Sequence, residues 1–193
     1  MGKSVLLLSI NLDAVANMFC NPAIGGTGKG HLVREIDALG GQMGLVIDKT
    51  FIQSKMLNTS KGPAVHSLRA QADKEKYHQE MLKTIRGTEG LDLIEDEVIE
   101  LIVDKSEAGE DDAYPKAGKI KGVRTAEDVE YFCDAVVICT GTFLSGKIFI
   151  GDDVRMSGPS GLRPATKLGD SLKELGIPIR RFKTGTPARM HKD

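Results

Sequence analysis

The sequence predicts an α/β fold with a parallel sheet, helices and an antiparallel β meander, and three observations predict it. Val5-Leu6-Leu7-Leu8-Ser9-Ile10 and Ala135-Val136-Val137-Ile138-Cys139 are nearly unbroken apolar runs, the pattern of parallel strands covered on both faces. Between them, apolar residues recur at helical spacing in two stretches. After the second stretch come short β-rich pieces bounded by turn residues.

The elements follow in order. The Val5–Ile10 run begins almost at the first residue, abruptly for a parallel sheet, so the first strand, phosphate turn and helix of such a fold are expected to lie outside this sequence. After the glycine cluster Gly25-Gly26-Thr27-Gly28-Lys29-Gly30, the residues Leu32, Val33, Ile36 and Leu39 mark a short amphipathic helix, and Gly40-Gly41 supplies a left-handed stop. A longer helix is expected from Val65 to Arg86, with Leu68, Ala72, Met81, Leu82 and Ile85 near one face and Gly87 ending it. In that helix Arg69 and Asp73 would form an i,i+4 surface pair.

Leu91–Ile94, Val98–Val103, Ile120–Thr125 and Val129–Phe132 read as strands, the middle pair joined by the acidic loop from Asp104 to Gly118. The Ala135–Cys139 run drives into Thr140-Gly141-Thr142, as a buried strand ending at a ligand-facing turn does. A Gly/Pro-rich loop from Ser157 to Pro164, a helix near Leu168–Leu175 ended by Gly176, and a basic strand-like segment Ile179–Thr184 complete the chain. The order is that of an incomplete Rossmann-like FAD/NAD(P)-binding domain.

Composition narrows the function classes. With 193 residues, 40% hydrophobic and 27% charged, the chain suits an ordinary globular protein, and no apolar run reaches membrane-span length. The formal net charge of -1 gives no global positive field, so a nucleic-acid partner needs a local basic patch. Cys20, Cys133 and Cys139 are odd in number and lack CxxC or Cys/His spacing, which points away from disulfides and zinc and towards a reducing, cytoplasmic setting. Cys133 and Cys139, at or in strand segments, are expected to be buried.

The glycine cluster is not a Walker A loop, because Ala23 and Gly30 stand where that loop needs Gly and Ser or Thr. Nor is it a dinucleotide fingerprint, since Gly26 and Gly28 are followed by His31. Two readings remain: a close-approach loop whose backbone N–H groups touch an anion or a flavin, or a plain turn. Cys20, just before the cluster and near Lys29, is either a nucleophile with a lowered pKa or an inert small hydrophobe. Arg180, Arg181, Lys183, Arg189, His191 and Lys192 form either a phosphate-binding stretch or a solvated basic face.

Taken together, four blocks resemble the MnmG/GidA family: Cys20-Asn21-Pro22-Ala23 through Gly41, Leu57–Val65 with Arg69-Ala70-Gln71-Ala72-Asp73, Thr140–Ile148, and Arg181–Arg189. The resemblance implies a FAD-dependent enzyme that works with a partner GTPase, MnmE, on carbon 5 of the tRNA wobble uridine. It adds an aminomethyl or carboxymethylaminomethyl group, with methylene-tetrahydrofolate and NADH as co-substrates, and it implies a homodimer. On matching positions it implies that Cys20 is catalytic, adding as a thiolate to the pyrimidine ring so that carbon 5 becomes nucleophilic.

Val98, Thr166 and the Thr140-Gly141-Thr142 turn then fall at FAD contacts. Gly25, Gly26, Gly28 and Lys29 are the close-approach candidates for the same cofactor, and Arg181, Lys183 and Arg189 fall where tRNA is met. Residues 1–150 correspond to a partial FAD domain and 151–193 to its continuation towards a second domain. Other readings compatible with the residues are a folate- and FAD-dependent tRNA uridine methyltransferase and a non-catalytic remnant, since the family's opening phosphate turn has no counterpart here.

Overall fold

A computed structural model describes residues 2–19, 21–107, 118–183 and 185, which fall into two compact units, Met1–Ile94 and Glu95–Asp193. The architecture is mixed α/β, with both parallel and antiparallel pairing.

In the first unit, β1 (Val5–Ser9) pairs with β5 (Leu91–Glu95) in a two-stranded sheet. The Val5 N–H donates to the Gly90 carbonyl at 2.8 Å, which joins the N-terminal ends of both strands, so they run parallel. The expected burial on both faces is not found: Val5 is exposed and the rest of β1 is half-buried, because one neighbouring strand cannot enclose it.

A second sheet has the antiparallel order β2 (Ala23–Gly25), β4 (Ser67–Ala72), β3 (Phe51–Leu57). Here the expected helix from Val65 to Arg86 is corrected. Pro63–Val65 is a 3₁₀ turn, Ser67–Ala72 is the central strand β4, and α3 runs only from Lys74 to Arg86. Leu68, Ala70 and Ala72 alternate with Ser67, Arg69 and Gln71, so the period is 2, and two flanking strands satisfy the backbone. Asp73 is consequently the N-cap of α3, where its carboxylate accepts the Lys76 N–H at 3.2 Å, and it is no partner of Arg69.

The short helix predicted after the glycine cluster is α1 (Lys29–Ala38), and Gly40 has the left-handed conformation of a stop, with φ +85°. Leu32, Ile36 and Leu39 of its apolar stripe are exposed, Leu39 to 75%, and Val33 is half-buried. An additional helix, α2 (Met43–Thr50), was not foreseen; it supplies Val46 and Ile47 to a core completed by Ala70, Ala72 and Tyr77. Lys49 of α2 pairs with Glu80 of α3 at 2.6 Å.

The second unit contains the predicted meander, β6 (Val98–Asp104), β7 (Lys119–Thr125) and β8 (Glu130–Phe132), all antiparallel. Arg124 crosses it, donating to Glu100 at 2.7 Å and to Glu130 at 2.8 Å. Helix α4 (Thr166–Glu174) covers β6, burying Leu168 and Leu172, and the Leu101 N–H donates to the Ser171 hydroxyl at 3.2 Å. A hairpin of β9 (Lys147–Ile150) and β10 (Asp153–Met156) was not anticipated.

Three expectations fail here. Residues 135–139 form no strand, Val137 is 84% exposed, and Cys133 and Cys139 are exposed rather than buried. The segment Ile179–Lys183 is likewise exposed and not a strand, while Thr184 lies outside the described residues. A strand exists only through its hydrogen-bonded neighbour, and among the described residues no strand lies beside either segment.

Truncating the 1%-exposed Val46 to Ala should cost about 2 kcal/mol, read by denaturant unfolding of the 193-residue chain. The cap predicts a pH effect as well. The Lys76 backbone N–H holds the Asp73 carboxyl below its ordinary 3.8, and the Lys49 ammonium holds Glu80 below 4.5. A depressed folded-state pKa contributes stability that is complete above the unfolded value and lost as pH falls through the folded one. Stability should therefore hold down to the ordinary carboxylate range and decline beneath it, and Asp73→Asn, which keeps an acceptor, should flatten part of that decline.

Candidate functional site

The glycine loop is built by a close backbone approach. Gly25 has φ +89°, and a Cβ there would strike the Leu68 carbonyl. That carbonyl accepts the Gly26 N–H at 2.8 Å, and the Gly26 carbonyl in turn accepts the Gly30 N–H at 2.8 Å, which starts α1. Asn58, itself at φ +60°, donates its side-chain amide to the Thr27 hydroxyl at 2.8 Å and to the Val65 carbonyl at 3.1 Å. The loop is thus tied at both ends and is more than a plain turn.

Gly30 also packs on the Leu68 carbonyl, 3.4 Å from its Cβ position, while the other two glycines do not. Gly26 (φ +100°) and Gly28 (φ +75°) have no atom within 4 Å of the Cβ position. Gly28 is the N-cap of α1 and offers no side chain, so no side-chain oxygen caps the first turn, where the Gly26 carbonyl takes the Gly30 N–H. Lys29, the first helical residue, is exposed beside them. Gly25 and the buried Gly26 therefore serve contacts within the protein, whereas the exposed Gly28 and Lys29 form an open, electropositive edge.

The other cofactor candidates belong to the second unit. Val98 opens β6, opposite Thr125, and is half-buried. Thr140 caps the 3₁₀ turn Gly141–Phe143, in which Gly141 has φ +53° and open space where a side chain would be. This turn is fixed to α4: the Ala165 N–H donates to the Phe143 carbonyl at 2.9 Å and the Ser145 N–H to the Ala165 carbonyl at 3.1 Å. Thr166 is the first residue of α4, behind Ala165, which cannot cap. Thr140, Gly141, Thr142 and Thr166 are thereby gathered around one bridge, Leu144 to Ala165, while Val98 enters the same unit through the sheet that α4 covers.

Of the nucleic-acid candidates, Arg181 is exposed and donates to the Ser145 carbonyl at 3.3 Å, and Lys183 is exposed. Cys20 and Arg189 lie outside the described residues. The neighbours of Cys20 are placed: Lys74 of α3 lies 5.6 Å from the Phe19 ring centroid, and the Pro22 carbonyl accepts the Ala72 N–H at 2.7 Å. Among the described residues no group of three or more His, Cys, Asp or Glu side chains is placed to hold a metal, and no helix is long and apolar enough to cross a membrane.

Asn58 went unremarked by sequence reasoning, although it stands in the Leu57–Val65 block. Its signal was an Asn in a turn ahead of Gly-Pro, a residue type that tolerates positive φ and bonds locally.

The tRNA uridine 5-carboxymethylaminomethyl modification enzyme MnmG of Finegoldia magna is 55% identical over 193 residues, covering 100% of this chain and 29% of that protein. The enzyme of the same name from Alkaliphilus oremlandii is 57% identical over the same span and coverage. The crystal structure of Aquifex aeolicus GidA superposes with a TM-score of 0.85 at 46% identity, covering 97% of this chain and 29% of that one. The chain thus spans 29% of the length of the curated relatives it matches. Residues 1–193 match the family described as Glucose inhibited division protein A from end to end, and the chain belongs to that family.

Proposed function

We propose that this chain belongs to a FAD-dependent enzyme that modifies carbon 5 of the wobble uridine in tRNA, adding an aminomethyl or carboxymethylaminomethyl group. The observation that carries this reading is the match over all 193 residues to relatives named as tRNA uridine 5-carboxymethylaminomethyl modification enzymes. The finer parts belong to the same proposal: MnmE-type GTPase as partner, methylene-tetrahydrofolate and NADH as co-substrates, a homodimer, and a cytoplasmic setting.

The residues present fit FAD. Gly28 in the first unit and Gly141 in the second each have positive φ and nothing where a Cβ would stand, which suits a group approached by main-chain amides. FAD, when bound, supplies the electron exchange that the one-carbon transfer requires. Each unit carries its own candidate contacts: in the first, the α1 N-terminus with Lys29 favours negative charge, and in the second, Thr140 and Thr166 offer hydroxyls at helix starts. Cys20 attacks the uracil ring as a thiolate; the new S–C bond moves electron density to carbon 5, and the later loss of the carbon 5 proton expels the thiolate. Arg181, Lys183 and Arg189 hold the tRNA backbone.

Lys29→Glu should keep the helix, since a carboxylate at an N-terminus is favourable, yet weaken FAD binding about tenfold in a flavin fluorescence titration of the chain. An unchanged dissociation constant would remove Lys29 from the site. Cys20→Ser, in a form of the protein that supports modification, should keep FAD and abolish the modified nucleoside detected by mass spectrometry of tRNA digests. Undiminished turnover would remove the nucleophile role.

A further inference from the structure

The sheet β2-β4-β3 has two faces of different character. Ala70 and Ala72 of β4 turn one face to the core with α2 and α3, so the alternating Arg69 and Gln71 belong to the other. On that other face the register sets Lys55 of β3 directly opposite Arg69, and Arg69 opposite Gly25 of β2, which brings no side chain. In the next row Gln53 stands opposite Gln71, which stands opposite Ala23.

Side chains directly opposed across antiparallel strands sit about 5 Å apart at Cβ, and like charges there are destabilising. Nothing in the sheet offsets this pair: β2, β3 and β4 contain no Asp or Glu. Among the described residues no carboxylate pairs with Lys55 or Arg69 either. Two cations side by side, with amide donors in the adjoining row, await an anion with several oxygens. An Arg fork and a Lys point charge together match a phosphate.

We propose that this face, through Lys55 and Arg69 with Gln53 and Gln71 beside them, holds the phosphate oxygens of an RNA backbone. The face is open along β3, which is the edge strand and exposed from Phe51 through Met56, and it is half-buried at Arg69 and Gln71 of β4. A polymer can run along such an edge, whereas a small nucleotide finds no walls there. This site rests on the tRNA reading above only for which RNA it receives.

The test uses the 193-residue chain with two RNAs, an unmodified tRNA transcript and a uridine oligomer, in fluorescence anisotropy across a salt series, with folding checked by circular dichroism. Lys55→Gln should weaken both complexes about threefold and Lys55→Gln with Arg69→Gln about tenfold, with a salt slope shallower by about 1.5 for the double variant. Should the double variant not fold, the exposed edge position Lys55 decides alone. Affinity and slope unchanged by the substitutions would overturn the site while leaving tRNA binding elsewhere intact, and a chain that binds neither RNA would overturn it also. The tRNA-modification reading is judged separately by nucleoside analysis. A parallel FAD titration separates the sources of phosphate: weakened FAD with unaltered RNA binding would assign the cations to the flavin diphosphate and overturn the RNA site.

Discussion

The approach of the Gly25 backbone to the Leu68 carbonyl is the constraint on which the first unit depends. One oxygen accepts the Gly26 N–H and presses on the place where any other residue at position 25 would carry its Cβ. That contact fixes the register of β2 on β4 and so seats Ile24 opposite Ala70, beside the core. It also fixes the point from which α1 departs, because the Gly26 carbonyl receives the Gly30 N–H. An alanine at position 25 would meet both a backbone collision and an unfavourable φ, so loop, sheet and helix start are coupled through one glycine.

How far the sequence revealed this depended on whether the local pattern was self-sufficient. The meander β6-β7-β8 and helix α4 were legible to within two residues, because strand alternation, turn residues and Gly176 all agree. The stretch from Val65 to Ala72 was misread because Leu68 and Ala72 satisfy a helical spacing as well as a period of 2, and only the flanking strands decide. Asp73 in fact marked the boundary, as an N-cap ahead of Lys74. Residues 135–139 failed in the opposite way: the apolar run is unambiguous in composition, yet a strand is a relation between two segments, and one segment cannot establish it.

The candidate site was legible as chemistry and less so as geometry. The glycines were singled out for absent side chains, and the structure divides them: Gly25 and Gly26 meet their own protein, while Gly28 and Gly141 are exposed with open space at the Cβ position. No spacing rule separates these roles, since both produce a glycine at positive φ. Asn58 shows a related limit, because its tie to Thr27 joins residues 31 positions apart and could not be read from either neighbourhood.

Charge placement explains how a chain of net charge -1 can present a surface for an anion. Carboxylates in the meander and around it are engaged: Glu100 and Glu130 with Arg124, Asp104 with Lys121 at 3.6 Å, and Glu97 with Arg163 at 3.9 Å. In the first unit Glu80 and Asp73 are engaged by Lys49 and Lys76. Lys55 and Arg69 stand in a sheet from which acidic residues are absent. At physiological salt a charge is felt over about 8 Å, so an approaching phosphate senses that sheet and little of the total. The local field arises from leaving carboxylates out of three strands, not from adding cations to the whole, which is why bulk charge carried no sign of it.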